Sequence, residues 1–362
     1  MGCAHLPETR YSELSQRLKA QAAASRIPIS GDVELTARCN LRCVHCFINQ
    51  PVGDKVVRGQ ELSFTEWARL IDKVVAAGCL WLLISGGEPL VRPDFLDIYS
   101  YAKERGLLIT LFTNGTLLTP EIADHLARWR PFSVEVTIYG HTRKTYEAVT
   151  GVPGSFDRCR RGIQLLLERH LPVTLKTMLL TLNAPELEDM IAWAQGLGVQ
   201  FRFDSMVGPR LDGSTQPCGY RLPAEQVVAL DLSDKERSRE WRKLFRNNRS
   251  ELATMELFQC GAGRSGFYID ASGVLSLCIM VREPGIPLTR NSFKAGWEGV
   301  LLEARQQQRP EESPCVTCAW LKLCSQCPGW GLAEQGSLEG VSEYVCRTTQ
   351  LRAAVFDANH HP

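Results

Sequence analysis

The sequence lacks two features: a long apolar run and an excess of charge of one sign. No stretch approaches the roughly 18 consecutive apolar residues that a membrane-spanning helix needs. Lys and Arg number 41 and Asp and Glu number 40, so the net charge of +1 argues mildly against a nucleic-acid partner. The N-terminal stretch also lacks the apolar core of a signal peptide. We therefore expect a cytoplasmic protein without a membrane or nucleic-acid partner.

Cysteine, in contrast, is abundant, with 14 residues in the chain. Without an export signal, clustered cysteines are more typical of metal binding than of disulfides. The isolated Cys3, Cys79 and Cys159 are expected to be structural, because free cysteine is usually buried. The patterned cysteines are Cys39, Cys43, Cys46, Cys260, Cys278, Cys315, Cys318, Cys324, Cys327 and Cys346.

Between residue 32 and about residue 206, six short β-rich runs alternate with amphipathic helical stretches. One of these helices begins with Ser63 and Glu66 in the pattern of a capping box, and another begins at Thr119 before a first-turn proline. Alternating strands and helices predict a parallel sheet with right-handed crossovers. Periodicity alone does not separate a partial barrel from an open doubly wound sheet. In both folds ligands collect at the carboxyl ends of the strands.

The alternation stops near Met206, and this sets the expected domain boundaries. The stretch GPRLDGSTQPCGYRLP has the glycine, proline and polar residues of a connector. A polar helical segment is expected over about 223–257. The expected organisation is an N-terminal segment (1–31), a barrel domain (32–210), a connector with a helical segment (211–258) and a small cysteine-rich domain (259–362).

The first motif is the group Cys39, Cys43 and Cys46, with gaps of three and two residues directly after the first predicted strand. Three thiolates on one loop can hold three irons of a four-iron cluster and leave the fourth iron without a protein ligand. On spacing alone, the alternative is a zinc site completed by His45 or by a distant residue.

The second motif follows one strand–helix unit later, where the predicted strand LWLLIS ends in Gly86-Gly87-Glu88-Pro89. A glycine pair at a strand end allows the backbone to approach a ligand closely. The adjacent carboxylate can receive an ammonium group. Alone, this tetrapeptide is also compatible with an ordinary turn.

Together, the three cysteines and the Gly86-Gly87-Glu88-Pro89 loop resemble the radical S-adenosylmethionine (radical SAM) superfamily. The resemblance implies a partial (β/α)6 TIM-like barrel, an α/β fold, whose three cysteines hold a [4Fe–4S] cluster with SAM on the fourth iron. Gly86, Gly87 and Glu88 are expected to contact the SAM amino group. The resemblance also implies reductive cleavage of SAM to a 5′-deoxyadenosyl radical, which abstracts hydrogen from a substrate.

The resemblance implies further SAM contacts on later strands. His45 stands where the family usually has an aromatic residue near the adenine, and Met206 is a second adenine contact. Asn114 and Thr137 are candidates for the ribose, and Lys176 for the SAM carboxylate. The alternatives are a solvent-facing charge for Lys176 and an ordinary core position for Met206.

The seven C-terminal cysteines resemble the SPASM extension of radical SAM enzymes, which holds two auxiliary iron–sulfur clusters. Three [4Fe–4S] clusters are therefore expected in all. One of the two cysteine sets, the inner one, lacks a fourth cysteine. The spacing of Cys324 and Cys327 is one residue shorter than usual in the family. The alternative is a pair of zinc ribbons, which an odd number of cysteines fits poorly. The resemblance assigns the outer set to Cys315, Cys318, Cys324 and Cys346. It assigns the inner set to Cys260, Cys278 and Cys327.

Enzymes of this type mostly modify ribosomally made peptides, and the stretches IYG and TGVPGSFD look most like peptide-maturing members. We expect an oxidative modification such as a thioether or C–C crosslink. An inner cluster open to a substrate thiolate makes the thioether the first choice. The alternatives are a peptide epimerase with Cys218 as hydrogen donor, a sulfatase-type maturase, a small-alcohol dehydrogenase or a non-catalytic iron–sulfur electron carrier.

The resemblance also implies partners. These are a peptide substrate, with or without a separate leader-binding protein, and an external electron donor such as flavodoxin or ferredoxin. The first 30 residues are too short for an appended leader-binding domain.

Overall fold

A computed structural model describes residues 10–48, 50–247 and 255–357. Its strands are β1 (Ser30–Thr36), β2 (Arg38–Cys39), β3 (Gln50–Pro51), β4 (Trp81–Gly86), β5 (Leu108–Thr113), β6 (Ser133–Thr137), β7 (Val173–Met178), β8 (Gln200–Asp204), β9 (Gly266–Ile269), β10 (Val274–Ser276) and β11 (Ile286–Pro287).

The helices surround this sheet and also form the C-terminal part of the described chain. They are α1 (Tyr11–Ala24), α2 (Lys55–Gln60), α3 (Phe64–Ala76), α4 (Phe95–Glu104), α5 (Pro120–Arg128), α6 (Arg143–Thr150), α7 (Ser155–Glu168), α8 (Leu187–Gly196), α9 (Ala224–Ser233), α10 (Lys235–Asn247), α11 (Phe293–Ala295), α12 (Leu301–Arg305), α13 (Pro328–Gln335) and α14 (Glu343–Phe356).

Six parallel strands form the main sheet, in the order β1-β4-β5-β6-β7-β8. Each strand lies beside the next one along the chain, and a helix covers each connection between them. A doubly wound sheet would instead reverse its strand order at a switch point. The α/β fold with a partial barrel is confirmed, and the open doubly wound alternative is wrong.

The C-terminal segment contributes strands to the same sheet. β9 pairs in parallel with β1, with Ser30 opposite Gly266, and β10 and β11 extend the edge in antiparallel orientation. The sequence predicted a separate cysteine-rich domain from residue 259, and periodicity gave no sign of this pairing. The strands are only two to four residues long, too short to show a period of two.

The predicted helix starts are observed. Ser63 and Glu66 form the capping box of α3, and the Thr119 hydroxyl accepts a hydrogen bond from the backbone N–H of Ile122 in α5. The predicted polar helical segment corresponds to α9 and α10, up to Asn247.

Apolar side chains of the strands and of the covering helices form one large core that includes Trp67, Ile98, Leu111 and Val136. Cys3 lies outside the described residues. In the part of the chain that the structure describes, no helix is both long and apolar enough to span a membrane.

Candidate active site

A cavity of about 870 Å³ lies at the carboxyl ends of the barrel strands. Part of its wall is the loop that carries the first three cysteines, and another part is the connector from Met206 to Gly213. The backbone N–H of Leu211 in this connector donates a hydrogen bond to the carbonyl of Phe47, 3.0 Å away. The connector is therefore fixed to the cysteine loop.

The cysteine loop is held in place from outside the barrel. The backbone N–H of Arg42 donates to the carbonyl of Thr150 at 2.9 Å, and that of Val44 donates to Val149 at 3.0 Å. Both acceptors lie at the C-terminal end of α6. These two hydrogen bonds fix the path of the cysteine loop relative to α6.

The three thiols of this loop face one another and the cavity. Burial, and to a smaller extent the nearby Glu88 carboxylate and Cys46 thiol, raises the pKa of Cys39 to about 12, and burial with the other two thiols raises the pKa of Cys43 well above its usual value. Three thiolates so close together and so little hydrated are unfavourable unless positive charge lies between them. The donor set therefore fits an iron–sulfur cluster, whose irons supply that charge.

The glycine pair after β4 is required by the protein's own backbone. A Cβ atom on Gly86 would lie 2.2 Å from the carbonyl oxygen of Thr36, and one on Gly87 would lie 2.3 Å from that of Arg38. Gly86 also has a φ of +132°. The sequence attributed the pair to close approach of a ligand, but the approach that excludes a side chain is to the segment leading into Cys39. The same two glycines also line the cavity.

Glu88 is fully buried, and its carboxylate is occupied within the protein. It accepts hydrogen bonds from the backbone N–H of Asn114 (2.7 Å), the hydroxyl of Thr113 (2.8 Å) and the backbone N–H of Leu90 (3.2 Å). Burial raises its pKa to about 7. Glu88 is not among the residues that line the cavity. Its contact with the SAM amino group remains a prediction, and its observed contacts join the ends of β4 and β5.

The C-terminal cysteines lie in two groups. Besides burial, the nearby Cys327 and Cys260 raise the pKa of Cys278, whereas Cys318 and Cys346 do so for Cys324. Cys346 in turn has Cys318 and Cys315 beside it. The grouping matches the inner and outer sets, although their role as cluster ligands remains a prediction. Among the described residues all cysteines are free, and no three His, Cys, Asp or Glu side chains are arranged to hold a single metal ion.

Comparisons with known proteins identify the family. The sequence profile of the Radical SAM superfamily matches residues 33–194. The chain is 39% identical over 325 residues to the AdoMet-dependent heme synthase of Methanosarcina barkeri, covering 84% of this chain and 92% of that protein. It belongs to the radical SAM superfamily. The protein is therefore an enzyme, and the family implies SAM and a [4Fe–4S] cluster as its cofactors.

Two further similarities extend over most of this radical SAM enzyme. The mycofactocin maturase MftC of Mycobacterium tuberculosis is 28% identical over 309 residues, covering 82% of this chain and 77% of that protein. The crystal structure of Streptococcus suis SuiB bound to precursor peptide SuiA aligns with a TM-score of 0.68 at 16% identity, covering 96% of this chain and 84% of that chain. The latter similarity shows that the fold is shared.

The predicted SAM contacts other than Glu88 line the cavity. The His45 ring tilts against Tyr139 with centroids 5.1 Å apart, and burial lowers its pKa to about 4, so the ring is neutral. Its Nδ1 atom is buried and has no hydrogen-bond partner among the described residues. A neutral ring with an unused polar atom suits an adenine neighbour. The residues concerned are His45, Gly86, Gly87, Asn114, Thr137, Lys176 and Met206.

Two of these residues have contacts that the sequence did not indicate. The amide of Asn114 donates to Asn40 at 3.0 Å, so part of its polar surface is used to hold the cysteine loop. The ammonium of Lys176 lies 3.5 Å from the carboxylate of Glu135, and burial lowers its pKa to about 7. The solvent-facing alternative for Lys176 is wrong. Their contacts with SAM remain predictions.

Sequence reasoning missed several residues that line the cavity. Asp32 lies on β1, and Tyr139 follows β6. Met280 and Trp330 come from the C-terminal segment, shortly after Cys278 and Cys327. The period-two alternation of β1 offered a signal for Asp32, since its neighbours Gly31 and Val33 are buried on the other face. No local signal identified Met280 or Trp330.

Cys218 lies in the short helix Gln216–Tyr220 of the connector, and it is not among the cavity-lining residues. Its assignment as a hydrogen donor therefore gains no support from its position. Cys79 and Cys159 are buried, and burial raises the pKa of each thiol to about 12.

Substitution of Glu88 by alanine is expected to lower the free energy of unfolding by about 2–4 kcal/mol, because three donors lose their buried acceptor. Glu88→Gln, which keeps the side chain's shape and one acceptor oxygen, is the matched control and should lose less. Urea denaturation of both variants measures the difference. Equal stability of wild type and Glu88→Ala would contradict the assigned role of Glu88 in holding the β4 and β5 ends together.

Proposed function

We propose that this enzyme removes a hydrogen atom from a ribosomally made peptide and oxidises it by two electrons overall, forming a thioether or carbon–carbon crosslink. One observation carries the proposal: a single cavity is lined by the first three cysteines and also by Met280 and Trp330. These two side chains closely follow Cys278 and Cys327. A substrate in the cavity would therefore lie beside the first three cysteines and beside the inner set.

The residues around the cavity fit the chemistry of the family. A cluster held by the first three cysteines, together with SAM, supplies the 5′-deoxyadenosyl radical that takes one hydrogen atom from the substrate. We propose that the inner and outer sets hold two auxiliary [4Fe–4S] clusters. The substrate radical must then lose one electron, which an auxiliary cluster would accept, and one proton, so the chain also needs a proton acceptor in the cavity.

We propose that the carboxylate of Asp32 accepts this proton. Its side chain lines the cavity beside Leu83, its neighbour in the β1–β4 register. It makes no hydrogen bond to any residue that the structure describes, so both oxygens remain available. The carboxylate is open to the cavity, and desolvation by the protein atoms around it raises its pKa to about 6, close to the value at which a carboxylate accepts and releases protons efficiently near neutral pH.

The edge of the sheet supports a peptide substrate. Within the described chain, β8 pairs with β7 on one side only, and its other edge carries no strand. An extended peptide can add to such an edge through main-chain hydrogen bonds. Because β8 leads directly into the cavity wall at Met206, a peptide added there would run towards the cysteine loop. SuiB, which shares the fold, holds a precursor peptide.

A second candidate is an oxidative reaction on an iron porphyrin, as the name of the M. barkeri heme synthase suggests. The full-length identity of 39% favours it. So do two cationic side chains in the cavity, Lys176 and Arg210, which suit the carboxylates of such a substrate. The Nε atom of Arg210 is buried without a partner among the described residues.

One experiment separates the two candidates. The reconstituted enzyme is incubated with SAM, a reductant and either an iron porphyrin that carries carboxylate side chains or precursor peptides encoded beside its gene. Loss of two hydrogen atoms from a peptide, located by tandem mass spectrometry, supports the proposed function. Conversion of the iron porphyrin to haem without any peptide change supports the second candidate. Deuterium uptake from heavy water without a change in composition would instead indicate epimerisation.

A further inference from the structure

A basic surface covers the outside of the loop that carries the first three cysteines. From residue 142 to residue 161 the chain has five basic and two acidic side chains, although its overall net charge is only +1. Both acidic side chains already have partners within this segment. Asp157 pairs with Arg143, and Glu147 accepts a hydrogen bond from the backbone N–H of Gly154. We define the α6–α7 surface by its exposed basic residues, Arg42, Arg143, Lys144, Arg158, Arg160 and Arg161.

This surface is separated from the first cysteines by a single layer of chain. Arg42 is itself the residue before Cys43, and its side chain donates a hydrogen bond to the carbonyl of Gly151, between α6 and α7. The backbone hydrogen bonds of the cysteine loop to Val149 and Thr150 continue this contact. A protein bound to the α6–α7 surface would therefore lie close to the first cysteines.

Aromatic side chains connect the surface with the cysteine loop. Phe156 lies at the surface, where the guanidinium groups of Arg143 and Arg160 are 5.9 and 5.4 Å from its ring centroid. Its ring is 5.7 Å from that of the buried Tyr146, which is 5.9 Å from Tyr139. Tyr139 in turn contacts His45 and hydrogen-bonds the Cys43 thiol. The rings are in near contact throughout, so no wide gap separates the surface from Cys43.

We infer that the α6–α7 surface is the docking site of a small acidic one-electron carrier protein. The inference rests on the proposed function, because reductive cleavage of SAM consumes one electron. The carrier is oxidised by one electron, and the centre held by Cys39, Cys43 and Cys46 is reduced by one. Opposite charges on the two surfaces accelerate encounter and orient the carrier, and the thin layer of chain keeps the transfer distance short.

A second basic element provides a matched comparison. Helix α10 exposes Arg242, Lys243 and Arg246. On its other side, its own Trp241 and Phe245 pack against Phe356 near the outer set. Its charge resembles that of the α6–α7 surface, but its position differs. If net charge alone attracts the carrier, both surfaces will contribute equally. If the position over the first cysteines matters, only the α6–α7 surface will contribute.

The test uses two triple charge reversals, each of which changes the net charge by the same amount. Lys144→Glu with Arg158→Glu and Arg161→Glu alters the α6–α7 surface at exposed positions, away from the cavity lining. Arg242→Glu with Lys243→Glu and Arg246→Glu alters α10. Calorimetry measures the affinity of each reconstituted enzyme for an acidic flavodoxin at low and physiological salt. SAM cleavage is then followed with the reduced flavodoxin and, separately, with dithionite.

The α6–α7 variant is expected to bind the flavodoxin about 10–100-fold more weakly at low salt. Its flavodoxin-driven SAM cleavage should fall by a similar factor, while its dithionite-driven cleavage is unchanged. The α10 variant should match wild type. Unchanged affinity of the α6–α7 variant, or equal losses in both variants, would overturn the inference. Absence of dithionite-driven cleavage in wild type would instead contradict the proposed function.

Discussion

Replacement of Cys43 by alanine is expected to abolish SAM cleavage. Cys43 is the most buried of the three thiols on the first loop, and its neighbours contribute the other two donors of the same centre. Removal of one of three donors leaves a second iron without a protein ligand. If each of three clusters has four irons, wild type holds about twelve irons per chain and the variant about eight. Iron analysis after anaerobic reconstitution and chromatography of 5′-deoxyadenosine measure the two effects.

Cys218→Ala is the matched control for this result, because it also removes one thiol but lies outside the cavity lining. Its iron content, SAM cleavage and product formation should equal those of wild type. If Cys218→Ala retains SAM cleavage but loses the product, Cys218 is a hydrogen donor and an epimerase is the better assignment. Full activity of Cys43→Ala would contradict the assignment of the first three cysteines.

Replacement of Asp32 by asparagine is expected to lower product formation by about 10²–10⁴-fold, the usual contribution of a positioned proton acceptor. Asparagine has nearly the same shape, so the cavity keeps its volume. Production of 5′-deoxyadenosine should continue, because Asp32 is on β1 well before the cysteine loop. The variant would therefore cleave SAM without completing the oxidation. Parallel measurement of deoxyadenosine and of the modified substrate checks this uncoupling.

The pH dependence of wild type provides a second readout for Asp32. Only the ionised carboxylate accepts a proton, and burial raises its pKa to about 6, so product formation should rise as the pH passes this value. The neighbouring Cys79 thiol stays neutral in this range because its pKa is raised to about 12. Lys176, which lines the same cavity, titrates higher, at about 7. Asp32→Asn should lack the step at pH 6.

Asp212→Asn is the control, because Asp212 also lines the cavity but lies in the connector, where it accepts a hydrogen bond from the backbone N–H of Ser214. It should form product at the wild-type rate. Loss of SAM cleavage in Asp32→Asn would instead indicate that Asp32 positions SAM. Normal product formation in that variant would exclude Asp32 as the proton acceptor.

The two short motifs were the most informative part of the sequence. Cys39, Cys43 and Cys46 fall on one loop, and the glycine pair falls at the end of the next barrel strand. The residues of each motif are therefore close together along the chain. The alternation of strands and helices was equally local, and it predicted the parallel strands β1 and β4 to β8. Their order in the sheet followed only from the resemblance to the radical SAM superfamily. The same reasoning missed the close backbone approach that requires the two glycines, and it missed the internal contacts of Glu88. Those contacts depend on how β4 lies against β1 and β5.

The sequence by itself determined the family and the barrel strands, because residue type and spacing along the chain carry that information. Only the tertiary structure decided that Asp32, Tyr139 and Trp330 line one cavity with the first cysteines. It also joined β9 to β1 and brought the basic helices α6 and α7 over the cysteine loop. These neighbours come from distant parts of the chain. Their contacts result from packing and strand pairing, which no local pattern of residues encodes.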